Sequence, residues 1–116
     1  MQQRPTVGVR PTEDLIRSLA ARKCVHLTDH VIKRLMQRRI NLASAIKAIA
    51  TCGCITQEWP DDPRGHKCKV ECVLPDGVPL HMICAVVGAD TRNEIELSII
   101  TVYVPDAVHR GKEGLR

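Results

Sequence analysis

Aromatic side chains are nearly missing from this chain: one Trp, one Tyr and no Phe in 116 residues. Platforms that stack splayed RNA bases need several rings, so that class of site is excluded. No apolar run approaches the roughly 18 residues of a membrane helix, and no membrane partner is expected. Behind Met1-Gln2-Gln3-Arg4-Pro5 there is no apolar segment of the kind that makes a secretory leader. A cytoplasmic location is the resulting expectation. Internal repeats and low-complexity runs are also absent. What remains is ordinary globular composition, 44% hydrophobic and 26% charged, which argues against wholesale disorder. The length suits one domain with a real core.

Cysteine, by contrast, is plentiful: Cys24, Cys52, Cys54, Cys68, Cys72 and Cys84. Disulfides belong to secreted chains, and nothing in this sequence points to secretion. Most of the six occupy positions where a small buried apolar residue is expected. The sharper alternative is a small zinc-binding protein in which Cys68 and Cys72, with three residues between them, supply ligands. No other cofactor is expected.

Net charge is +4, unevenly spread. Residues 1–40 carry nine Lys/Arg against three acids, and residues 41–116 carry eight against ten. A basic first third on a near-neutral remainder points to a polyanionic partner, or simply to a solvated helix face.

Residues 1–11, with Pro5, Gly8 and Pro11, read as a flexible arm, and residues 107–116, with two glycines, as a loose tail. Residues 12–106 are expected to form the domain. Thr12 caps a helix over about 13–23. Val25-His26-Leu27 is a short extended piece. Thr28 then caps an amphipathic helix to Arg39, with Val31, Ile32, Leu35 and Met36 on its apolar side. His30, Lys33, Arg34, Gln37 and Arg38 fall on the other side, and His30, Arg34 and Arg38 form a ladder at i, i+4, i+8. Asn41 caps the next helix, to about Thr51, with Leu42, Ala45, Ile46 and Ile49 inward. Gly53 stops it.

Beyond Gly53 the apolar period changes from 3.6 to 2. Strands are expected at Ile55–Trp59, His66–Leu74, Pro79–Val87 and Glu94–Val104. In the second of these, Cys68, Val70, Cys72 and Leu74 share one face, and Lys67, Lys69 and Glu71 the other. Asp76-Gly77 makes the hairpin turn. The third is apolar on both faces and so central. The expected class is α+β: two to three N-terminal helices packed on a four-stranded antiparallel meander. An unpaired edge can add a second chain, so monomer and homodimer both stay open.

Three stretches resemble the bacterial domain of unknown function 4258: His26–Ile40, with Thr28-x-His30-x3-Arg34-x3-Arg38-x-Ile40; Pro75–Val87, with Leu80-His81 in a central strand; and Ile99–Asp106, with Thr101, Tyr103 and Pro105. The resemblance spans about residues 24–106. That family's architecture is similar to the RelE/ParE/BrnT toxins, small basic proteins with helices followed by an antiparallel sheet. The resemblance implies a toxin-like domain, a metal-independent endoribonuclease held by an antitoxin-like partner protein.

Such enzymes cleave RNA through the 2′-hydroxyl, which requires a base, an acid and positive charge at phosphorus. Lys33, Arg34 and Arg38 are the candidate phosphate ligands, since a guanidinium fork donates twice to phosphate. His30 on the same helix face is a candidate base or acid. His81 and Tyr103 are further candidates, able to share one sheet face if their strands are neighbours. Each has a plainer reading. His30 can be a surface residue of the first turn, and His81 a hydrogen-bonded core residue. Arg34 and Arg38 can be partners of Glu58, Asp61 or Asp62. The alternative function is a non-enzymatic binding module whose basic helix docks nucleic acid or an acidic protein. The C-terminal segment lacks the basic cluster that such toxins place there: only Arg110, Lys112 and Arg116 remain.

Overall fold

A computed structural model describes residues 9–63, 65–88 and 95–105. The expected arm before residue 9, the turn at 89–94, Arg64 and the tail with Arg110, Lys112 and Arg116 lie outside the described residues. Three helices, α1 (Glu13–Ala21), α2 (Asp29–Gln37) and α3 (Leu42–Cys52), cover one face of a sheet. Its strands are β1 (Val25–Leu27), β2 (Cys54–Trp59), β3 (Lys67–Val73), β4 (Pro79–Gly88) and β5 (Ile95–Tyr103). No helix among the described residues is long and apolar enough to cross a membrane.

The caps do what short polar side chains do at helix starts. Thr12, Thr28 and Asn41 each accept the backbone N–H three residues on, at 3.1, 3.1 and 3.0 Å. At the other end, α1 and α2 close with paired bonds that return the chain on itself: Cys24 N–H to Leu19 C=O and Lys23 N–H to Ala20 C=O, then Ile40 N–H to Leu35 C=O and Arg39 N–H to Met36 C=O. These are Schellman closures. The left-handed position normally given to Gly is held by Lys23 (φ 61°) and Arg39 (φ 57°). After α3, a Cβ on Gly53 would sit 2.7 Å from the Ile49 carbonyl oxygen, so only glycine fits there. Arg17 of α1 donates to the Gly53 carbonyl (2.8 Å) and Glu13 accepts from the Ile55 N–H (3.0 Å), tying α1 to the start of β2.

The class is α+β, and the sheet corrects the expected meander. It has five strands in the order β1-β5-β4-β3-β2, with β4 central. The four expected strands pair antiparallel in sequence order, but Val25–Leu27 adds a fifth, parallel to Leu97–Ile99. Three residues are too few to reveal a partner some 70 positions away by pattern, and parallel pairing demands a long crossover; here α2, α3 and the rest of the sheet form it. Val9 makes a bridge to Val86 and Pro11 is fully buried, so the segment leading into α1 is held against the domain.

The core lies between the helices and one sheet face. Cys68, Val70 and Cys72 of β3, Leu80, Met82, Cys84 and Val86 of β4, and Leu97, Ile99 and Val102 of β5 meet Ile16, Leu19, Val31, Leu35, Ala45 and Ile49. An irregularity opposite Ile83–Cys84 keeps both Ile99 and Val102 inward despite their odd spacing. Two helix expectations change. Only Val31 and Leu35 of α2 are buried, while Ile32 is 37% and Met36 71% exposed. α2 lies chiefly over β5 and β1, so the sheet margin covers a stripe narrower than the apolar arc. In α3 Ala45, Ala48 and Ile49 are buried and Ile46 packs half-buried against the core, as expected of three of these, while Leu42 is exposed and Ala48 joins the inward set.

Candidate functional site

The sheet face away from the helices is polar, and the pleat explains why. Lys69 and Glu71 alternate with Cys68, Val70 and Cys72 in β3, so they project to the opposite side. In register with them on β4 are Ile83 and His81, and His81 is paired in turn with Tyr103 on β5. Four side chains able to carry charge or hydrogen bonds therefore converge from three adjacent strands. The His81 and Tyr103 rings stand edge to face at 5.2 Å. Lys69 Nζ lies 5.9 Å from the centre of the Tyr103 ring. Glu71 is the hub: its carboxylate is 3.4 Å from His81 Nε2 and 3.7 Å from Lys69 Nζ, and it accepts the Thr56 hydroxyl at 2.9 Å.

The electrostatics of the cluster divide its members. The Tyr103 hydroxyl and, behind it, the Glu71 carboxylate raise the Lys69 pKa above its ordinary value, so the ammonium is retained. Burial lowers the His81 pKa, against the opposing pull of Glu71. His81 Nδ1 is sealed from solvent with no hydrogen-bond partner among the described residues, so Nε2 is the nitrogen that makes polar contact. The site thus sets a neutral imidazole beside a carboxylate and a firmly charged lysine.

His81 and Tyr103 are brought together; the other candidates lie elsewhere. His30 is exposed in the first turn of α2, with no hydrogen bond or ion pair among the described residues, and Lys33 is likewise exposed and unpaired. Arg34 and Arg38 belong to the helix layer. They close on Tyr103, Val104 and Leu80 around a crevice too narrow for a water molecule, so the two sets of candidates meet only where β5 ends. Neither guanidinium forms an ion pair among the described residues. Two of the acids considered as partners are committed at the β2–β3 edge: Glu58 to His66 at 2.7 Å and Asp62 to Lys67 at 3.4 Å.

Cys68 and Cys72 share the core face of β3, separated by about 13 Å of strand, whereas two thiolates on one zinc approach within about 4 Å. Burial pushes both thiols up to about 12. Among the described residues, no group of three or more His, Cys, Asp or Glu is arranged to hold a metal. The zinc reading therefore fails on geometry for this pair.

Lys69, Glu71 and Thr56 are the members of the cluster that sequence reasoning missed as site residues. The alternation of β3 already placed Lys69 and Glu71 on the non-core face. The missing link was the register that sets Glu71 opposite His81.

The sequence model of the domain of unknown function DUF4258 matches residues 27–104, and the chain belongs to that family. No curated protein and no solved structure matches the chain.

Proposed function

We propose that this member of the DUF4258 family is a metal-independent ribonuclease, with Lys69, Glu71, His81 and Tyr103 as its acid–base centre. The observation that carries the reading is their convergence from three neighbouring strands onto a sheet face that no described helix covers. Glu71, oriented by His81 Nε2, removes the proton of a ribose 2′-hydroxyl. The freed oxygen attacks the adjacent phosphorus, and Lys69 neutralises the charge that builds on the non-bridging oxygens. Tyr103 gives its proton to the departing 5′-oxygen. The products are a 2′,3′-cyclic phosphate and a 5′-hydroxyl. Arg34 and Arg38 approach the same end of β5 and would hold the flanking backbone as bidentate phosphate ligands.

The test is incubation of single-stranded RNA with the full chain in the presence of a chelator. Fragments ending in cyclic phosphate are expected, with no cleavage of the matching DNA. Glu71→Gln and Tyr103→Phe should each slow cleavage by about a hundredfold or more, while His30→Ala should leave it unchanged. RNA that stays intact at stoichiometric protein rejects the enzyme.

One observation favours a second reading, a non-cleaving module: Lys33, Arg34 and Arg38 carry charge that no described acid neutralises. In that case RNA binds without being cut, the affinity falls steeply with salt, and Arg34→Ala and Arg38→Ala each reduce the slope. A partner protein of the antitoxin kind fits either reading, and the exposed Ile32 and Met36 on α2 are the apolar surface it would cover.

A further inference from the structure

Next to the crevice at Arg34 and Arg38 lies a cleft of about 370 Å³ between the α2–α3 turn and the β3–β4 hairpin. That volume falls in the range of small-molecule sites. Leu74 and Val78 contribute apolar surface, and Arg38, Arg39, Asn41 and Asp76 line it with polar groups. Arg38 borders both the cleft and the crevice beside Tyr103, so one residue joins them.

The donor and acceptor pattern of the cleft is unusually restricted. Asn41 Oδ1 is used by the Ser44 N–H, which leaves the Asn41 amide nitrogen as a donor. Asp76 Oδ1 accepts from the Val78 N–H at 3.2 Å, which fixes the carboxylate at the turn and leaves Oδ2 as an acceptor. The cleft is therefore lined by a carboxylate from the hairpin, donors from the helix turn and apolar surface. A planar ring with two neighbouring N–H donors on one edge and acceptors on another satisfies that set. Among the four bases only guanine has both: N1–H and the 2-amino group for the carboxylate, O6 and N7 for arginine and amide donors.

We propose that this cleft is a guanine-binding pocket, which gives the site a base preference. The inference rests on the reading of the protein as one that handles RNA, with the guanine held beside a phosphate at Arg38.

The experiment titrates the full chain with guanosine 3′-monophosphate and with its adenosine, cytidine and inosine counterparts, followed by calorimetry and backbone amide shifts. The guanosine nucleotide should bind at least tenfold more tightly than the adenosine and cytidine nucleotides. Inosine, which keeps N1–H and lacks the 2-amino group, should fall between. Shifts should centre on residues 38–41 and 74–78. Asp76→Asn retains Oδ1 for the Val78 N–H, so the turn survives, and it should abolish the preference while leaving residual affinity. Arg38→Ala should weaken all four nucleotides together. Equal affinity for the four, a preference that survives Asp76→Asn, or no binding at millimolar nucleotide overturns the proposal. Cleavage of RNA without base preference would sink this pocket and spare the ribonuclease, whereas selective nucleotide binding with intact RNA would do the reverse.

Discussion

Leu80 and His81 are consecutive residues of β4 that serve opposite faces of the sheet. Leu80 is fully buried against the helices. His81 stands among Glu71, Lys69 and Tyr103 on the other side. The same contrast repeats in β3, where Cys72 faces the core and its neighbour Glu71 collects three polar contacts. One face is built from apolar side chains whose exchange disturbs packing. The other holds groups that a stability requirement alone would not select. Lysine, glutamate and histidine brought together, half-buried, on two neighbouring strands give little net stability. Clusters of this kind with shifted pKa values concentrate where proteins act on something, though structural networks shift them too.

The sharpest way to break this contrast is to truncate each face and compare. Leu80→Ala should cost about 3 kcal/mol, because it opens a cavity in a core with no room to collapse. His81→Ala should cost about 1 kcal/mol or less, since its contact with Glu71 is a long 3.4 Å one and the side chain keeps some exposure. Urea titration of both variants measures the difference directly. If His81→Ala proved as costly as Leu80→Ala, the imidazole would be a packing element and the acid–base reading would lose its base-orienting group.

Much of the fold was legible because the signals were local. Thr12, Thr28, Asn41 and Gly53 mark helix ends by chemistry that acts within one turn. The strands announce themselves by alternation, and Gly77 takes the positive φ (91°) that the Asp-Gly turn requires. What could not be read was non-local. β1 has three residues and a parallel partner in β5. The width of the buried stripe on α2 depends on how much sheet lies under it, so Ile32 and Met36 were placed inward from periodicity alone. The site suffered the same limit. His81 and Tyr103 could be named as residue types, but the register that sets Glu71 beside them, and the separation of Arg34 and Arg38 onto the other layer, belong to strand pairing. His30 and the arginines looked like one ladder on a helix wheel because they share a helix, not because they share a site.

The C-terminal ends of α1 and α2 depart from their ordinary form. Left-handed backbone costs a side-chain-bearing residue about 1 kcal/mol relative to glycine, and both Lys23 and Arg39 accept that cost. A cation near a helix C-terminus recovers a few tenths of a kcal/mol. Lys23→Gly and Arg39→Gly should therefore each stabilise the protein, by about 0.5 kcal/mol or slightly more, in thermal unfolding. Arg39 also lines the cleft that Asp76 lines, and Lys23 is not part of that cleft. Arg39→Gly should weaken nucleotide binding while it stabilises the fold, and Lys23→Gly should stabilise without that penalty. Should both variants leave binding untouched, the strain at Arg39 would have no functional reason.

The smallest effect is the most specific to the polar face. Burial holds the His81 pKa below the 6.5 of an unperturbed imidazole, so the unfolded chain takes up a proton at a higher pH than the native one does. As pH falls through about 6.5 the unfolded state is the one that gains protons, and stability declines until the native imidazole titrates as well. The decline therefore occupies the window from about 6.5 down to the lowered native value, and stability is flat with respect to this group above it. His81→Gln, which cannot titrate, should remove that part of the slope in a series of urea titrations from about pH 7.5 to about pH 5. A bound phosphate provides the control. An anion lodged beside Lys69 and His81 favours the imidazolium and raises the native pKa, so RNA or inorganic phosphate that reaches the cluster should shrink the wild-type slope and leave His81→Gln unmoved. A ligand that binds tightly and leaves the slope as it was must sit on the helix layer, at Arg34 and Arg38 alone, and the sheet face would then have no part in holding phosphate.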